Sequence, residues 1–415
     1  MIAEAPAADY RWLSAGQEIF PAMLAAIESA QRSVCLEIYH YSAGSLGERF
    51  REALVRARRR GVRVRVLIDA LGSIGLAGAF WQPLRAVSGE VREFNPLALN
   101  RLGIRNHRKL LVCDERVAFV GGFNIACEYD GDGVTRGWRD LGLKVEGPLA
   151  AQLSATFEEM FERADFRHRR FPRLARSAVR RAGNRNPETD STANEPGSTQ
   201  ILTGENRESG EEGKSSTGSA AANAQLLLSG PGRGRSPIKR ALRGDLARAR
   251  SVRIMAAYFL PTWRIRRALE RAVRGGGQVQ LILAGKSDVA VSQLAGRSLY
   301  RRFLKSGVEI YEYQPQILHS KLIIVDDLVY VGSANLDQRS LRINYELMIR
   351  FDHKRMAEEG RALFASHLAH CRRISLEDWR KSRTIWQQLK QYWAYFLLVR
   401  VDPYIARRQW RGLPD

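Results

Sequence analysis

Two copies of one pattern lie 212 residues apart in the sequence: a histidine, a lysine two positions later, and an aspartate five positions after the lysine. Each copy is followed by a turn of small residues that ends in asparagine. The recurring residues are His107, Lys109, Asp114 and Asn124 in the first copy, and His319, Lys321, Asp326 and Asn335 in the second. A lone His-x-Lys pair would mean little, but its duplication in a matching context predicts two half-domains that each contribute half of one active site.

The chemistry of these residues suits a phosphate group. Each histidine opens a short apolar run typical of a buried strand, in which residues i and i+2 face the same side, so each histidine is expected beside its lysine. An imidazole can attack phosphorus or move protons, while an ammonium group neutralises the phosphoryl oxygens. Carboxylates and cysteines are not clustered at the spacings of metal ligands, so no metal or other cofactor is expected.

The two motifs resemble the double HKD signature of the phospholipase D superfamily. Three further segments look like those of bacterial cardiolipin synthases, the phosphatidyltransferase branch of that superfamily: Trp138–Leu141, Tyr258–Pro261 and Asn335–Ser340. The resemblance covers most of residues 16–352. Many cardiolipin synthases begin with membrane-spanning helices, whereas none is expected here, and the chain is more similar to the short, peripheral members.

The segments around the motifs repeat one order of elements. A strand, a helix and a second strand are predicted before each motif, at 33–39, 46–60 and 62–69 in the first half and at 251–259, 262–274 and 279–283 in the second. Each half is therefore expected to be an α/β layer with helices outside. The resemblance implies two similar half-domains, each a mixed β-sheet flanked by helices, packed with pseudo-twofold symmetry around one active site.

Composition suggests where these halves begin and end. Residues 183–224 are rich in Gly, Ser, Thr, Asn and Glu and carry no aromatic residue, which is typical of a flexible linker. The predicted organisation is an N-terminal half at 1–182, the linker at 183–224, a C-terminal half at 225–360 and a basic, aromatic helical tail at 361–415.

The motifs support a two-step mechanism as a hypothesis. One histidine attacks the phosphorus of a phosphodiester and forms a phosphohistidine, while the other protonates the departing oxygen and then activates the incoming hydroxyl. His107 is assigned as the nucleophile and His319 as the acid and base, although the near-symmetry of the motifs leaves the reverse assignment open. The phosphoryl oxygens would be held by Lys109, Lys321, Asn124 and Asn335.

Four carboxylates have a place in this hypothesis. A nucleophilic imidazole needs its other ring nitrogen oriented, and Asp140 and Glu346 each open an apolar strand downstream of a motif, so they are predicted to orient the histidines. Asp114 and Asp326 belong to the motif's catalytic set by resemblance. Because each ends a strand, a structural role in fixing a turn is favoured for both.

The charge of the chain favours an anionic partner. The 66 basic and 44 acidic residues give a formal net charge of +22, which suits phospholipid or, less well, nucleic acid. Phenylalanines and arginines interleave between 161 and 181, as expected for a surface that follows a phosphate backbone, for a patch on an anionic membrane, or simply for a solvated helix face.

Two apolar segments suggest contact with a membrane. Across Trp379–Val399, aromatic and leucine residues recur near helical spacing among Lys and Arg, which fits either a helix lying on a bilayer surface or a helix packed between domains. The uncharged segment Ala70–Leu84 could form an apolar lip for acyl chains or an ordinary buried loop. No signal peptide is expected, so the protein is placed at the cytoplasmic face of the membrane as a peripheral protein.

These features favour a phosphatidyltransferase of cardiolipin synthase type, which moves a phosphatidyl group to a hydroxyl of phosphatidylglycerol. A phospholipase D that uses water as the acceptor has the same motifs. A metal-independent nuclease is favoured by the basic charge, and a catalytically idle binding module is disfavoured because both motifs are intact. The sequence does not indicate the oligomeric state.

Overall fold

A computed structural model describes residues 9–96, 103–164, 223–231 and 236–411 of the chain. Within these ranges the backbone forms two mixed β-sheets, one in each half, with helices packed around them. The predicted fold class is therefore confirmed.

The first half carries a seven-stranded sheet. Its strands are β1 (Tyr10–Leu13), β2 (Ser33–Ile38), β3 (Arg63–Asp69), β4 (Glu90–Phe94), β5 (Leu110–Cys113), β6 (Val117–Gly121) and β7 (Gly142–Glu146). Its helices are α1 (Gly16–Ser29), α2 (Ser45–Arg59), α3 (Gln82–Ala86) and α4 (Pro148–Glu162), with 3₁₀ turns at Gly78–Trp81 and Cys127–Tyr129. The strand order is β1-β7-β6-β5-β2-β3-β4, in which β2, β3 and β4 are parallel neighbours and the remaining pairs are antiparallel.

The second half carries an eight-stranded sheet. Its strands are β8 (Asn223–Ser229), β9 (Ser251–Ala256), β10 (Gln278–Ala284), β11 (Glu309–Tyr313), β12 (Lys321–Val325), β13 (Leu328–Gly332), β14 (Glu346–Asp352) and β15 (Cys371–Ile374). Its helices up to β15 are α5 (Pro237–Asp245), α6 (Trp263–Arg274), α7 (Ala290–Arg297), α8 (Tyr300–Lys305), α9 (Gln338–Arg342) and α10 (Lys354–Leu368). The order β15-β11-β10-β9-β12-β13-β14-β8 again combines a parallel β9-β10-β11 group with antiparallel strands that carry the motif.

The two sheets share one apolar core. Because strand side chains alternate between faces, Val112 and Val120 of the first sheet lie in the same buried cluster as Ile324 and Val331 of the second. The neighbouring Leu111 points the other way, into a separate cluster beneath α1 and α2. The shared core fixes the two halves against each other, and the ends of β5 and β12 therefore meet at one place.

Both motif histidines precede the strand that the sequence assigned to them. The strands begin at Leu110 and Lys321, because the backbone just before each one pairs with the opposite half instead of with its own sheet. His107 therefore lies three residues before β5, and His319 lies two residues before β12.

The observed elements also differ from the predicted domain bounds. Residues 223 and 224, assigned to the linker, pair with Asp352 and Phe351 in the second sheet. Residues 361–374, assigned to the tail, complete α10 and the edge strand β15, which pairs with β11. The rest of the predicted linker and most of the basic segment at 161–181 lie outside the described residues.

The tail continues from β15 as helices. These are α11 (Leu376–Lys381), α12 (Ile385–Phe396), a π-helical turn at Leu397–Val401 and α13 (Asp402–Arg411). Among the described residues, no helix combines the length and the apolar character needed to cross a bilayer.

Candidate active site

Backbone hydrogen bonds between the halves place the two motif histidines. The N–H of His107 donates to the carbonyl of Tyr345 in the other half (2.9 Å), and the N–H of His319 donates to the carbonyl of Arg139 (2.7 Å). The residue that follows each of these acceptors is a carboxylate, Glu346 or Asp140. Each histidine is thus positioned by the half to which it does not belong.

The side chains repeat this crossed pairing. His107 Nδ1 lies 3.0 and 3.1 Å from the two carboxylate oxygens of Glu346. His319 Nδ1 lies 2.7 Å from Asp140 Oδ2. With Nδ1 held by a carboxylate, Nε2 of each ring is the nitrogen left for chemistry in the cavity that both rings line.

Both carboxylates are themselves fixed. Asp140 Oδ1 accepts a hydrogen bond from the N–H of Leu141 (2.7 Å), and the Ser333 hydroxyl donates to Glu346. Asp140 is almost fully buried and Glu346 completely so. Burial raises the pKa of Asp140 to about 7, although the charge of Lys321 opposes this shift.

The two motif lysines lie in the same buried region. Lys109 Nζ donates to the carbonyl of His107 (2.8 Å), and Lys321 Nζ lies 2.9 Å from His319 Nδ1. Burial lowers the pKa of Lys109 to about 7 and that of Lys321 to about 8, and the charge of Lys321 lowers the pKa of Lys109 further. An anion that enters this buried region would favour the charged form of both lysines.

Burial favours the neutral form of both histidines. Burial lowers the pKa of His107, against the opposing effect of Glu346. Burial also lowers the pKa of His319 well below its usual value, and the charges of Lys321 and Lys109 lower it further. A neutral imidazole has the lone pair that attack on phosphorus requires.

The two motif asparagines also line the cavity. Asn124 Nδ2 donates to the Tyr129 hydroxyl (2.7 Å), which in turn lies 3.5 Å from His319 Nε2. Asn335 is only 2% exposed, and its side-chain oxygen has no hydrogen-bond partner among the described residues. Because buried amides are usually satisfied, this unused group indicates a place for a polar ligand.

The cavity has a volume of about 540 Å³ and is lined by both halves. Sequence reasoning did not assign several of its residues: Tyr39, His40, Arg105, Tyr129, Asp288, Arg339 and Asp402. Tyr39 directly follows β2, and Tyr258 lies two residues after β9, the equivalent strand of the second half. The internal repeat could therefore have identified this pair of tyrosines as equivalent site residues. No spacing in the sequence marks Asp288 or Asp402.

The structure does not bring Asp114 and Asp326 into this cavity. Asp114 accepts hydrogen bonds from the backbone N–H groups of Gln31, Arg32 and Ser33 at 2.7–2.9 Å, and it turns the chain after β5 with φ of 56°. Asp326 accepts bonds from Arg250 and Ser251 in the equivalent place. Both carboxylates tie the motif strand to its neighbour.

In the part of the chain that the structure describes, no three His, Cys, Asp or Glu residues are arranged to hold a metal ion. The expectation of metal-independent chemistry stays a prediction, which a chelator can test.

Comparison with known proteins gives the site a family context. A family model described as a cardiolipin synthase, phospholipase D-like domain matches residues 23–163 and 242–368. Cardiolipin synthase 1 of Bacillus cereus is 30% identical over 386 residues, which cover 91% of this chain and 70% of that enzyme. Cardiolipin synthase B of Escherichia coli is 30% identical over 397 residues, which cover 93% and 86%.

The fold is also seen in a solved structure. Phosphatidylserine synthase from Haemophilus influenzae superposes with a TM-score of 0.68 and covers 96% of this chain and 95% of its own. Its sequence is 14% identical, so this likeness concerns the fold alone.

The position of Asp114 and Asp326 yields a prediction about stability. Replacing either with Ala leaves two or three backbone N–H groups without an acceptor, so we expect the free energy of unfolding to fall by about 1–3 kcal/mol. The variants should keep kcat at temperatures where they are folded. Chemical denaturation and steady-state kinetics on the same samples test this, and a large loss of kcat at wild-type stability would give these aspartates a catalytic role instead.

The lowered lysine pKa values yield a prediction about anion binding. An anion favours the protonated lysines, so it raises their pKa, and binding at pH 8 should take up as much as about one proton per site. Sulfate does not titrate in this range, so calorimetry of sulfate binding in buffers of different ionisation enthalpy measures the uptake directly. Lys109→Met should reduce both uptake and affinity. Binding without proton uptake would contradict the lysine assignment.

Proposed function

The chain belongs to the cardiolipin synthase family of phospholipase D-like proteins, and from that premise we propose that it moves a phosphatidyl group to a hydroxyl of phosphatidylglycerol through a phosphohistidine. The activity class is that of a cardiolipin synthase-like phosphatidyltransferase.

The observation that carries the proposal is the crossed pair of carboxylate-held imidazoles on one cavity. Nε2 of His107 attacks the phosphorus and the bond from phosphorus to the departing glycerol oxygen breaks. His319, which the charge of the bound phosphodiester brings to its protonated form, gives the proton on its Nε2 to that oxygen. In the second step His319 takes the proton of the incoming hydroxyl, and the new P–O bond replaces the P–N bond. The two lysines stabilise the charge on the phosphoryl oxygens throughout.

The assignment of the two histidines rests on their surroundings. Asp288 at the cavity wall opposes the lowering of the His319 pKa, although burial and the two lysines outweigh it. His107 packs edge-on against Tyr39 with 4.9 Å between ring centroids, and its Nδ1 faces both oxygens of Glu346. These contacts hold one nitrogen toward the phosphorus, as a nucleophile requires.

An exposed apolar rim supports a lipid substrate. Helix α12 packs against α7 and leaves Trp386 and Trp393 73% and 58% exposed, with Phe396 beside them. Val289, next to α7, lines the cavity and is itself exposed. We define the exposed rim as Val289, Val291, Trp386, Trp393 and Phe396. Exposed tryptophans on a helix that packs against the cavity-lining α7 suit the interface of a bilayer, where amphipathic rings are stable.

Parts of the two predicted membrane segments are buried in the protein and not exposed at the rim. Trp379 is buried against the ring of Tyr300, with 4.8 Å between centroids, because α11 packs onto the second half. Within Ala70–Leu84, Phe80 and Trp81 pack into the core, and the large apolar residue of that segment that is exposed is Ile74. The apolar lip is therefore much smaller than the sequence suggested.

The histidine roles are tested with a donor that needs no acid. His107→Ala and His319→Ala should each abolish cardiolipin formation, and mixing them should not restore it, because one chain supplies both histidines of a site. With phosphatidyl-p-nitrophenol, whose leaving group departs without protonation, His319→Ala should release about one p-nitrophenol per site and retain the phosphatidyl group on His107. His107→Ala should show no such burst.

The measurements are rapid-quench kinetics and mass spectrometry of the peptides, performed in EDTA. A burst in His107→Ala would reverse the assignment of the two histidines. Dependence of the wild type on a divalent ion would require a different mechanism, and formation of phosphatidic acid alone would favour a phospholipase D.

The exposed rim yields a separate prediction. Trp386→Ser, Trp393→Ser and Phe396→Ser together should release the protein from phosphatidylglycerol vesicles at moderate salt and slow turnover on bilayers, while turnover of short-chain soluble phospholipid persists. The matched control, Arg380→Ser with Lys381→Ser, removes charge from α11 and should weaken sedimentation only at low salt. Full sedimentation of the triple variant would refute the interfacial role. Binding that falls steeply with rising salt, equally in the wild type and in the triple variant, would favour nucleic acid as the partner.

A further inference from the structure

Making cardiolipin from two phospholipids places two phosphodiesters near one cavity. The first is the reacting group, which the motif lysines compensate. The second belongs to the acceptor lipid and keeps its charge throughout the reaction. An anion in a half-buried cavity needs a cation to offset its lost hydration, so the proposed function requires a second cationic site beside the first.

Three described residues lining the cavity could supply that cation apart from the motif lysines. Arg105 is buried and bound to the buried Asp69 (3.2 Å), which in turn holds the backbone of the following turn. His40 lies between the carbonyl of Gly72 (2.6 Å) and Glu128 (3.2 Å). The third is Arg339 on α9, whose partner is a partly exposed carboxylate of the tail.

Arg339 makes a two-pronged ion pair with that carboxylate. Its Nε and Nη2 each lie 2.8 Å from an oxygen of Asp402, and its Nη1 lies 3.3 Å from the carbonyl of Gly103. A guanidinium fork matches the oxygens of a phosphate as well as those of a carboxylate. Both residues line the cavity, and the Arg339 side chain is 37% exposed.

Arg339 also lies near the proposed nucleophile, His107. Its charge acts on Tyr39, the ring that packs against His107. It follows Asn335 by four residues in the segment that caps and forms α9. One short stretch of chain thus carries both Asn335, which is expected to hold the reacting phosphate, and Arg339.

We propose that Arg339 binds the phosphodiester of the acceptor lipid and that Asp402 occupies its fork until that lipid arrives. This inference rests on the proposed function and adds the residue that selects a phosphate-bearing acceptor over an uncharged alcohol. Asp402 can leave without detaching the tail, since Gln409 on α13 separately accepts a hydrogen bond from the N–H of Gly103 (2.7 Å). The Asp402 carboxylate then competes with the phosphodiester for the N–H donors of Arg339. It does not weaken the binding of uncharged acceptors, which do not use those donors.

The test compares two acceptors with one donor. Phosphatidylglycerol vesicles containing ethanol can yield cardiolipin or phosphatidylethanol from the same phosphatidyl-enzyme, so the product ratio reports acceptor choice alone. Loss of a charge-assisted bidentate contact should lower the cardiolipin to phosphatidylethanol ratio of Arg339→Gln by about tenfold or more. Arg339→Lys keeps the charge and should retain part of the ratio.

Asp402→Asn provides the opposite expectation. It removes the competing charge, so the KM for phosphatidylglycerol as acceptor should fall several-fold and the product ratio should rise. If Asp402→Asn instead lowers the ratio as Arg339→Gln does, the ion pair is a structural strut and the proposal fails. Thermal unfolding of all three variants identifies any that lose the fold. If Arg339→Gln does not fold, Asp402→Asn and Arg339→Lys still decide the test.

The outcomes separate this inference from the proposed function. A wild type that forms phosphatidylethanol but no cardiolipin would remove the lipid acceptor, and with it both claims. A wild type that forms cardiolipin, with Arg339→Gln giving the same product ratio, would overturn the role of Arg339 alone.

Discussion

The crossed contact between each histidine and the carboxylate of the opposite half is the constraint on which the structure depends. Separated from the other half, each would hold a buried imidazole and a buried carboxylate without their partners, and unpaired buried polar groups are costly. The exchange of backbone hydrogen bonds at Tyr345 and Arg139 fixes the same geometry. Packing of the two sheets and assembly of the site are therefore one event, since the shared apolar core brings together what the polar pairs then align.

The electrostatics of the site follow from this burial. Two lysines, two histidines and two carboxylates lie close together, and burial is the largest influence on the pKa of Lys109, Lys321, Asp140 and both histidines. These five groups are thereby shifted toward their neutral forms. We expect a bound phosphate to restore the charged forms of the lysines, so that part of the binding free energy comes from relieving an arrangement that the folded core imposes.

The sequence was informative wherever the signal was local. Apolar runs and the repeat indicated the two halves, the strands around the motifs and the carboxylates Asp140 and Glu346. It could not indicate which carboxylate serves which histidine, because that depends on contacts between residues 179 and 239 positions apart. The same limit applies to Trp379, whose helical spacing resembles that of the exposed Trp386 although a contact with Tyr300 buries it. The pairing of Arg339 with Asp402 has no signature in either segment.

The division of labour between core and tail has a physical basis. Transfer of a phosphoryl group requires groups held within a few tenths of an ångström, which strands in a close-packed interior provide. Choice between acceptors requires contacts that can exchange with solvent and ligand, and these are found where the tail crosses the cavity at Leu398 and Asp402. The tail is a continuous run of helices from the exposed tryptophans to the carboxylate at the cavity wall. A membrane surface and an acceptor head group would therefore meet the same segment, and the chemistry behind it need not move.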